Sequence, residues 1–424
     1  MLEKLNDIDW QRISHAYGPA TDVPDQLRAL ASLDKKIRDE AYHHLYGNIY
    51  HQGTRWSASA KVVPFLFELL AGKQVQEKDR IIHLLIALAI GDEEEYLPFG
   101  IDPQDLFKEA EDLEKLSDFE RLNSFNFDDY ESLSEEEANI IDRLPVLWAR
   151  NTYNAVAERA ETFLEFINSE NAAIKIAATY AVAWFPNITD KALHIIRVVI
   201  AREKESYQKA NIILSLGMLA HYQRIDSDIP MLMKLLSSTA PTIERIAAAI
   251  AIATICKSSS PPEVIAALIE FAGNGCLQFA PILPEAIPFL SSGNPDVPDI
   301  REQSRLIPWK NGELVSYASL ILSHCGLNDD KRIVAELCGA LELAKPLAKL
   351  TITGALLSYI FYRMPAKGRF VELTPLQQQA LIAIDQFGCW KINGRYFSTY
   401  GNLVTSFGLP GLPEKFHDYV SSRS

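Results

Sequence analysis

The polar stretch His51-Gln-Gly-Thr-Arg-Trp56 gathers an unusually dense set of recognising side chains in this sequence. The forked guanidinium of Arg55 suits a carboxylate or phosphate. Trp56 offers a stacking face, and His51, Gln52 and Thr54 add donors and acceptors around Gly53. Together they predict a loop that cradles an anion or a partner's carboxylate. The same residues also suit a structural turn, with Gly53 at a positive φ, His51 and Thr54 capping helix ends and Trp56 buried.

A second set of side chains is spread along the chain. Arg38, Lys175, Lys209 and Arg245 occupy equivalent positions of a repeated pattern, so they could line one inner face as a ladder of cations. Catalytic and metal signatures are missing. There is no His-Glu-x-x-His, Cys-x-x-Cys or Gly-x-Ser-x-Gly. His43 and His44 are adjacent and would point apart on a helix. The expectation is no metal, no cofactor and no catalytic residue.

The elements that must position these residues are announced by a repeat. One pattern is written three times: Lys175-Ile-Ala-Ala-Thr-Tyr-Ala-Val-Ala-Trp-Phe, Lys209-Ala-Asn-Ile-Ile-Leu-Ser-Leu-Gly-Met-Leu and Arg245-Ile-Ala-Ala-Ala-Ile-Ala-Ile-Ala-Thr-Ile. Each copy opens on a cation and carries small residues at its sixth and eighth places: Ala181 and Ala183, Ser215 and Gly217, Ala251 and Ala253. Starts 34 and 36 residues apart mark stacked helical repeats, and the small residues would let helices pack closely. The predicted fold is all-α: paired antiparallel helices in a right-handed α-α superhelix. It runs through 1–424 as one solenoid, with an atypical unit at 374–424 covering its apolar end.

Along the chain, Leu5 to Tyr17 predicts a short helix. Asp34 should cap a helix over Arg38–Tyr50, and Ser57 the one after it. Lys78–Ile90 predicts a helix buried between neighbours. At Asp92 the pattern breaks. Asp92 to Asp142 holds 19 acids against Lys108, Lys115 and Arg121, a local net charge of −16, whereas the rest has 38 bases and 36 acids. This acidic insertion should contain a helical run over Pro103–Leu122 and a helix capped at Ser134. It is either a solvated decoration that keeps the protein soluble or a surface that docks a basic partner. Further on, Thr242 is an expected N-cap and Thr374-Pro375 an expected helix start. Prolines 281, 284, 288, 295, 298 and 308 limit helix length between the repeats and the C-terminal third.

Composition narrows the classes. Hydrophobic residues at 48% are those of a folded protein. The acidic N-terminus predicts no secretory signal. The longest apolar run, Ile246 to Cys256, is too short for a bilayer. Five cysteines without metal-type spacing predict reduced thiols. A cytoplasmic protein that does not act at a membrane is the expectation, and a near-neutral scaffold argues against nucleic-acid binding.

The Lys/Arg-x-x-Ala-x-x-Ala-Leu-Gly-x-Leu skeleton resembles the second helix of HEAT and HEAT-like repeats. The segments from Leu45 to Ala60, Val63-Pro-Phe-Leu, Leu373-Thr-Pro-Leu-Gln, Tyr400-Gly-Asn-Leu-Val and Gly408-Leu-Pro are similar to a bacterial group of HEAT-repeat proteins, largely uncharacterised. The resemblance implies a HEAT-like, armadillo-type solenoid. The function expected of it is a non-enzymatic interaction scaffold, binding a protein or peptide partner, basic in character, through the concave face and the acidic insertion. The alternatives are an enzyme or cofactor handler like the HEAT-like bilin lyases, with its pocket near His51 and Arg55, and a DNA-binding solenoid like certain glycosylases. Deoxyhypusine hydroxylase, another HEAT-like enzyme, binds iron through His-Glu pairs, and no such dipeptide occurs here.

Overall fold

The computed structural model describes residues 1–115, 134–237, 239–279, 307–312, 314–325, 331–344, 346–362, 364–392 and 394–422. These are mostly helical, with three two-stranded hairpins. They form two compact units, Met1–Ala201 and Arg202–Ser424.

The first unit begins with hairpin β1–β2 (Ser14–His15 and Gly18–Pro19), then α1 (Val23–Ala29) and α2 (Lys35–Asn48). Hairpin β3–β4 (Tyr50–His51 and Thr54–Arg55) leads into α3 (Ser59–Ala71) and α4 (Lys78–Ile90). A single turn, α5 (Pro103–Leu106), precedes α6 (Glu135–Ala157), α7 (Ala172–Val182) and α8 (Thr189–Ile200). Local chemistry sets these boundaries. Asp34 accepts from Lys36 N at the start of α2, and Asn171 accepts from Ala173 N and Ile174 N at the start of α7. Ser134 and Glu137 form a reciprocal capping box, with Glu135 and Glu136 in the same positively polarised turn. α4 packs against α3, α6 and α7, so its apolar run is buried nearly all round.

The second unit runs α9 (Ser206–Gln223), α10 (Ile229–Ser237), α11 (Thr242–Cys256), α12 (Pro262–Phe279), α13 (Leu314–Leu322), α14 (Lys331–Leu343), α15 (Pro346–Ile360) and α16 (Pro375–Phe387). Hairpin β5–β6 (Lys391–Ile392 and Arg395–Tyr396), α17 (Ser398–Ser406) and α18 (Pro413–Ser421) finish it. Contacts skip one helix at a time. α9 touches α11, α11 touches α13, α13 touches α15 and α15 touches α17. A second row joins α12 to α14, α14 to α16 and α16 to α18. The small residues of the repeat sit where the first row is tightest. A Cβ built on Gly217 would lie 2.7 Å from both Cα and Cβ of Ala251. Two buried hydroxyls on these helices bond back to their own backbone: Ser215 donates to Asn211 O and Thr254 to Ile250 O.

Several local expectations are corrected. Leu5–Tyr17 is not one helix: Glu3–Asp7 is a 3₁₀ turn, and the chain then reverses through β1–β2, where Gly18 takes a φ of 117°. Ser57 does not cap α3; its Oγ accepts from Ser14 N at 2.8 Å and so ties the two hairpins. Pro103–Leu122 is broken into α5 and the 3₁₀ turns Lys108–Ala110 and Leu113–Lys115, and its last residues lie outside those described. Thr242 is already inside α11, whose cap position is Pro241. Prolines 281, 284, 288, 295 and 298 fall outside the described residues. Thr374 starts α16 as expected, with Gln377 completing a capping box. Among the described residues no helix is long and apolar enough to cross a membrane.

Candidate functional site

The His51–Trp56 stretch is the turn and second strand of β3–β4. Tyr50 faces Arg55 and His51 faces Thr54, which leaves Gln52 and Gly53 as a two-residue turn. Their φ values of 49° and 83° belong to the primed turns that match strand twist. Glycine carries the second at no cost, whereas Gln52 is strained. His51 Nδ1 lies 3.0 Å from Gly47 O and therefore donates to it, holding the hairpin to the end of α2.

Arg55 turns inward. It is only 8% exposed, and its guanidinium donates to Gly53 O, with Tyr96 close enough to interact with it. It also lies against Gly91, where a Cβ would collide with Nη1. Burial lowers its pKa, with Tyr96, Tyr50 and Glu95 opposing that shift. Beside it, Tyr50 donates to Gly91 O at 3.1 Å, and burial together with Asp92 pushes its hydroxyl up to about 12. The forked donor thus clasps the first residues of the acidic insertion. Glu93, two residues past Gly91, is itself buried and accepts from the Tyr180 hydroxyl of α7.

Trp56 points to the other end of the same insertion. Its ring stacks on Trp148 of α6, centroids 5.7 Å apart and planes 27° from parallel. Trp148 belongs to a buried cluster with Ala110, Leu113, Ile141, Leu144 and Leu147, against which Trp56 also packs. Arg150 Nη1 donates to Ala110 O at 3.1 Å, so the described parts of the insertion are joined to α6.

Between the start of α3 and the second half of α6 this arrangement leaves an open groove of about 490 Å³. Trp56, Ser57 and Lys61 line one wall, and Trp148, Asn151, Asn154 and Glu158 the other. The α6 residues recur at intervals of three and four, hence as one stripe along the helix. Lys61, Asn154 and Glu158 are exposed, Trp56 and Asn151 half-buried. The groove offers an aromatic surface flanked by amides, one cation and one carboxylate. Of these residues, the sequence picked out Trp56 as a binding residue and Ser57 as a cap; Trp148 to Glu158 carried the signal of helix periodicity alone.

The cation ladder is engaged internally. Arg38 Nε pairs with Glu77 at 2.8 Å, and its Nη1 donates to Ser32 O and Leu33 O. Lys209 pairs with the buried Glu244 at 2.9 Å. Arg245 donates to Leu236 O and lies over the Phe271 ring. Lys175 is half-buried and engaged as well. No group of three or more His, Cys, Asp or Glu converges on a metal site among the described residues. Cys256, Cys325, Cys338 and Cys389 are free thiols, with burial pushing Cys325 and Cys338 up to about 11. Such thiols are poor nucleophiles. Comparison of the chain with family models, curated proteins and solved structures gave no match.

Proposed function

We propose that the chain is a HEAT-like α-solenoid, with paired antiparallel helices wound in a right-handed superhelix, that serves as a non-enzymatic interaction module for a protein or peptide partner. The helix-skipping contacts of the second unit and the close approach of Gly217 to Ala251 support the architecture. The observation that carries the function is the open groove between α3 and α6, built on helices and floored by stacked indoles. Large, stiff aromatics flanked by polar side chains are what interaction hot spots are made of. Arg55, Arg38, Lys209 and Arg245 are engaged by partners within the fold.

Affinity capture with the full chain tests this against Asn154→Arg, which places a bulky side chain in the groove wall, and Lys331→Glu, an exposed change in the other unit. Proteins held by the unmodified chain and by Lys331→Glu, but lost with Asn154→Arg, support the reading. Equal capture by all three, or none by any, overturns it.

A further inference from the structure

We propose that Ser421 is an acyl acceptor: its hydroxyl, set beside His417 and Asp385, takes the acyl group of a thioester whose chain lies in the apolar pocket that Ser421 lines. The site belongs to the second unit and is independent of the groove in the first.

Two helices supply the polar groups. α16 carries Asp385, and α18 carries His417 and Ser421 one turn apart on the same face. The helices pack together, and His417 Nδ1 lies 2.8 Å from Asp385 Oδ2. A carboxylate only accepts, so Nδ1 bears a proton, and in the neutral ring Nε2 carries the lone pair. Ser421 Oγ is 3.5 Å from that Nε2, a loose contact of the kind that tightens when a substrate arrives. Hydroxyl, imidazole and carboxylate thus stand in the order that activates a serine. Asp385 is half-buried, whereas His417 and Ser421 are exposed and can be reached from solvent.

A second observation falls on the same serine. Ser421 lines an open pocket of about 590 Å³ whose apolar wall is Phe370, Val371, Ile382 and Val420. Val371 and Ile382 are exposed hydrophobic side chains that an acyl chain would cover. Of the other polar residues there, Gln378 donates to Phe370 O and Leu373 O, and Ser422 Oγ donates to Tyr419 O. Ser421 is the hydroxyl with a base beside it. The Ser422 amide also donates to Tyr419 O, so it is not available to stabilise an oxyanion. Transfer therefore needs an acyl group that is already activated. The product, an ordinary oxygen ester, persists, and the site is acylated once rather than turned over.

The step balances without a redox change. Ser421 Oγ attacks the thioester carbonyl carbon, the Oγ–C bond forms and the C–S bond breaks. The hydroxyl proton passes to His417 Nε2 and then to the departing thiolate, leaving an ester and a free thiol. His417 is the base that touches the reacting atom, and Asp385 is a positioning residue that acts through it. The Asp385 hydrogen bond and charge, followed by the charge of Asp418, hold the imidazole above its ordinary value near 6.5.

Incubation of the full chain with the octanoyl and acetyl thioesters of N-acetylcysteamine, read by intact mass and peptide mapping, tests this. The expected result is one octanoyl group per chain, on Ser421, formed at least about tenfold faster than the acetyl ester; burial of about two methylenes supplies that ratio. Ser421→Ala should abolish the modification, and His417→Gln should slow it at least about a hundredfold. Ile382→Ser should cut the octanoyl-to-acetyl ratio at least about threefold, whereas Ser406→Ala, at an exposed serine of α17, should change nothing. Asp385→Asn should move the half-maximal pH of acylation downwards, because His417 loses the charge that holds it up; a merely structural role would slow the reaction alike at every pH. Ser421, His417 and Ile382 are exposed, so their changes leave the fold intact. No ester on Ser421, an acyl group mapped to Ser422 or to lysine instead, or equal rates for the two chain lengths overturns the proposal, as does an unmoved half-maximal pH in Asp385→Asn.

Discussion

Gly217 and Ala251 occupy one point of contact between α9 and α11, where even a methyl group on the glycine would meet backbone at 2.7 Å. Replacing Gly217 with Ala improves helix propensity by up to about 1 kcal/mol. Overpacking against a backbone atom, which has no rotamer to escape into, costs about 1–3 kcal/mol. A net loss is expected, read as a lower urea midpoint with an unchanged slope. A midpoint that rises would mean the helices separate freely and the small residues have no packing role.

Arg38 is the buried centre of an ion network. Burial alone would raise the Glu77 carboxyl, but the Arg38 hydrogen bond and the Arg80 charge outweigh it and hold the group below its usual value. Arg38→Ala should cost about 1.5–3 kcal/mol, because two carbonyls lose a charged donor and Glu77 is left with Arg80 alone. Arg28→Ala, which removes an exposed pair with Asp25, should cost under about 1 kcal/mol. Similar losses from both would show that the network adds nothing beyond surface pairing.

Arg55→Ala should act on stability and not directly on binding. It deprives Gly53 O of a charged donor, worth about 1.5–3 kcal/mol, and removes the guanidinium that lies against Gly91 and Tyr96 at the start of the acidic insertion. Thermal melting should register the loss, with partner capture below the melting range unchanged. Abolished capture with an unchanged melting temperature would instead make Arg55 a ligand-binding group.

Acidification should weaken the second unit through His221. Burial, then the charges of Lys257 and Arg224, push its imidazole down to about 4 from an ordinary value near 6.5. The folded value lies below the unfolded one, so as pH falls the unfolded chain takes the proton first. Its contribution is therefore complete above about pH 6.5 and is lost on the way down to about pH 4. His221→Gln should flatten the fall in melting temperature across that window. Parallel curves for the two proteins would assign the acid sensitivity to other groups.

The helices were legible where periodicity and caps agreed. Lys78–Ile90, the Ser134 capping box and the Thr374-Pro375 start read directly from sequence, because each depends on residues within one turn of one another. The hairpins were missed, although Gln52-Gly53 and Asn393-Gly394 are two-residue turn signals. Strands of two residues carry too short an alternation to register. The groove was legible by half. Trp56 stood out in an irregular loop, whereas its partner Trp148 lay 92 positions away inside a periodic helix, where an indole reads as ordinary core. Arg55 misled for a related reason: its chemistry fits an anion and a carbonyl equally, and only burial decides which one it meets.

The contact between α4 and α7 closes a stretch of about 80 residues. Loop-closure cost grows only with the logarithm of length, so doubling the part of that stretch that lies outside α6 and its buried contacts would change stability by only about 0.6 kcal/mol. Descendants of this chain could therefore gain or recharge residues in that part while the pairing beneath stays the same. The acidic segment is placed where sequence drift is thermodynamically cheapest, and lineages that share these helices can diverge there first.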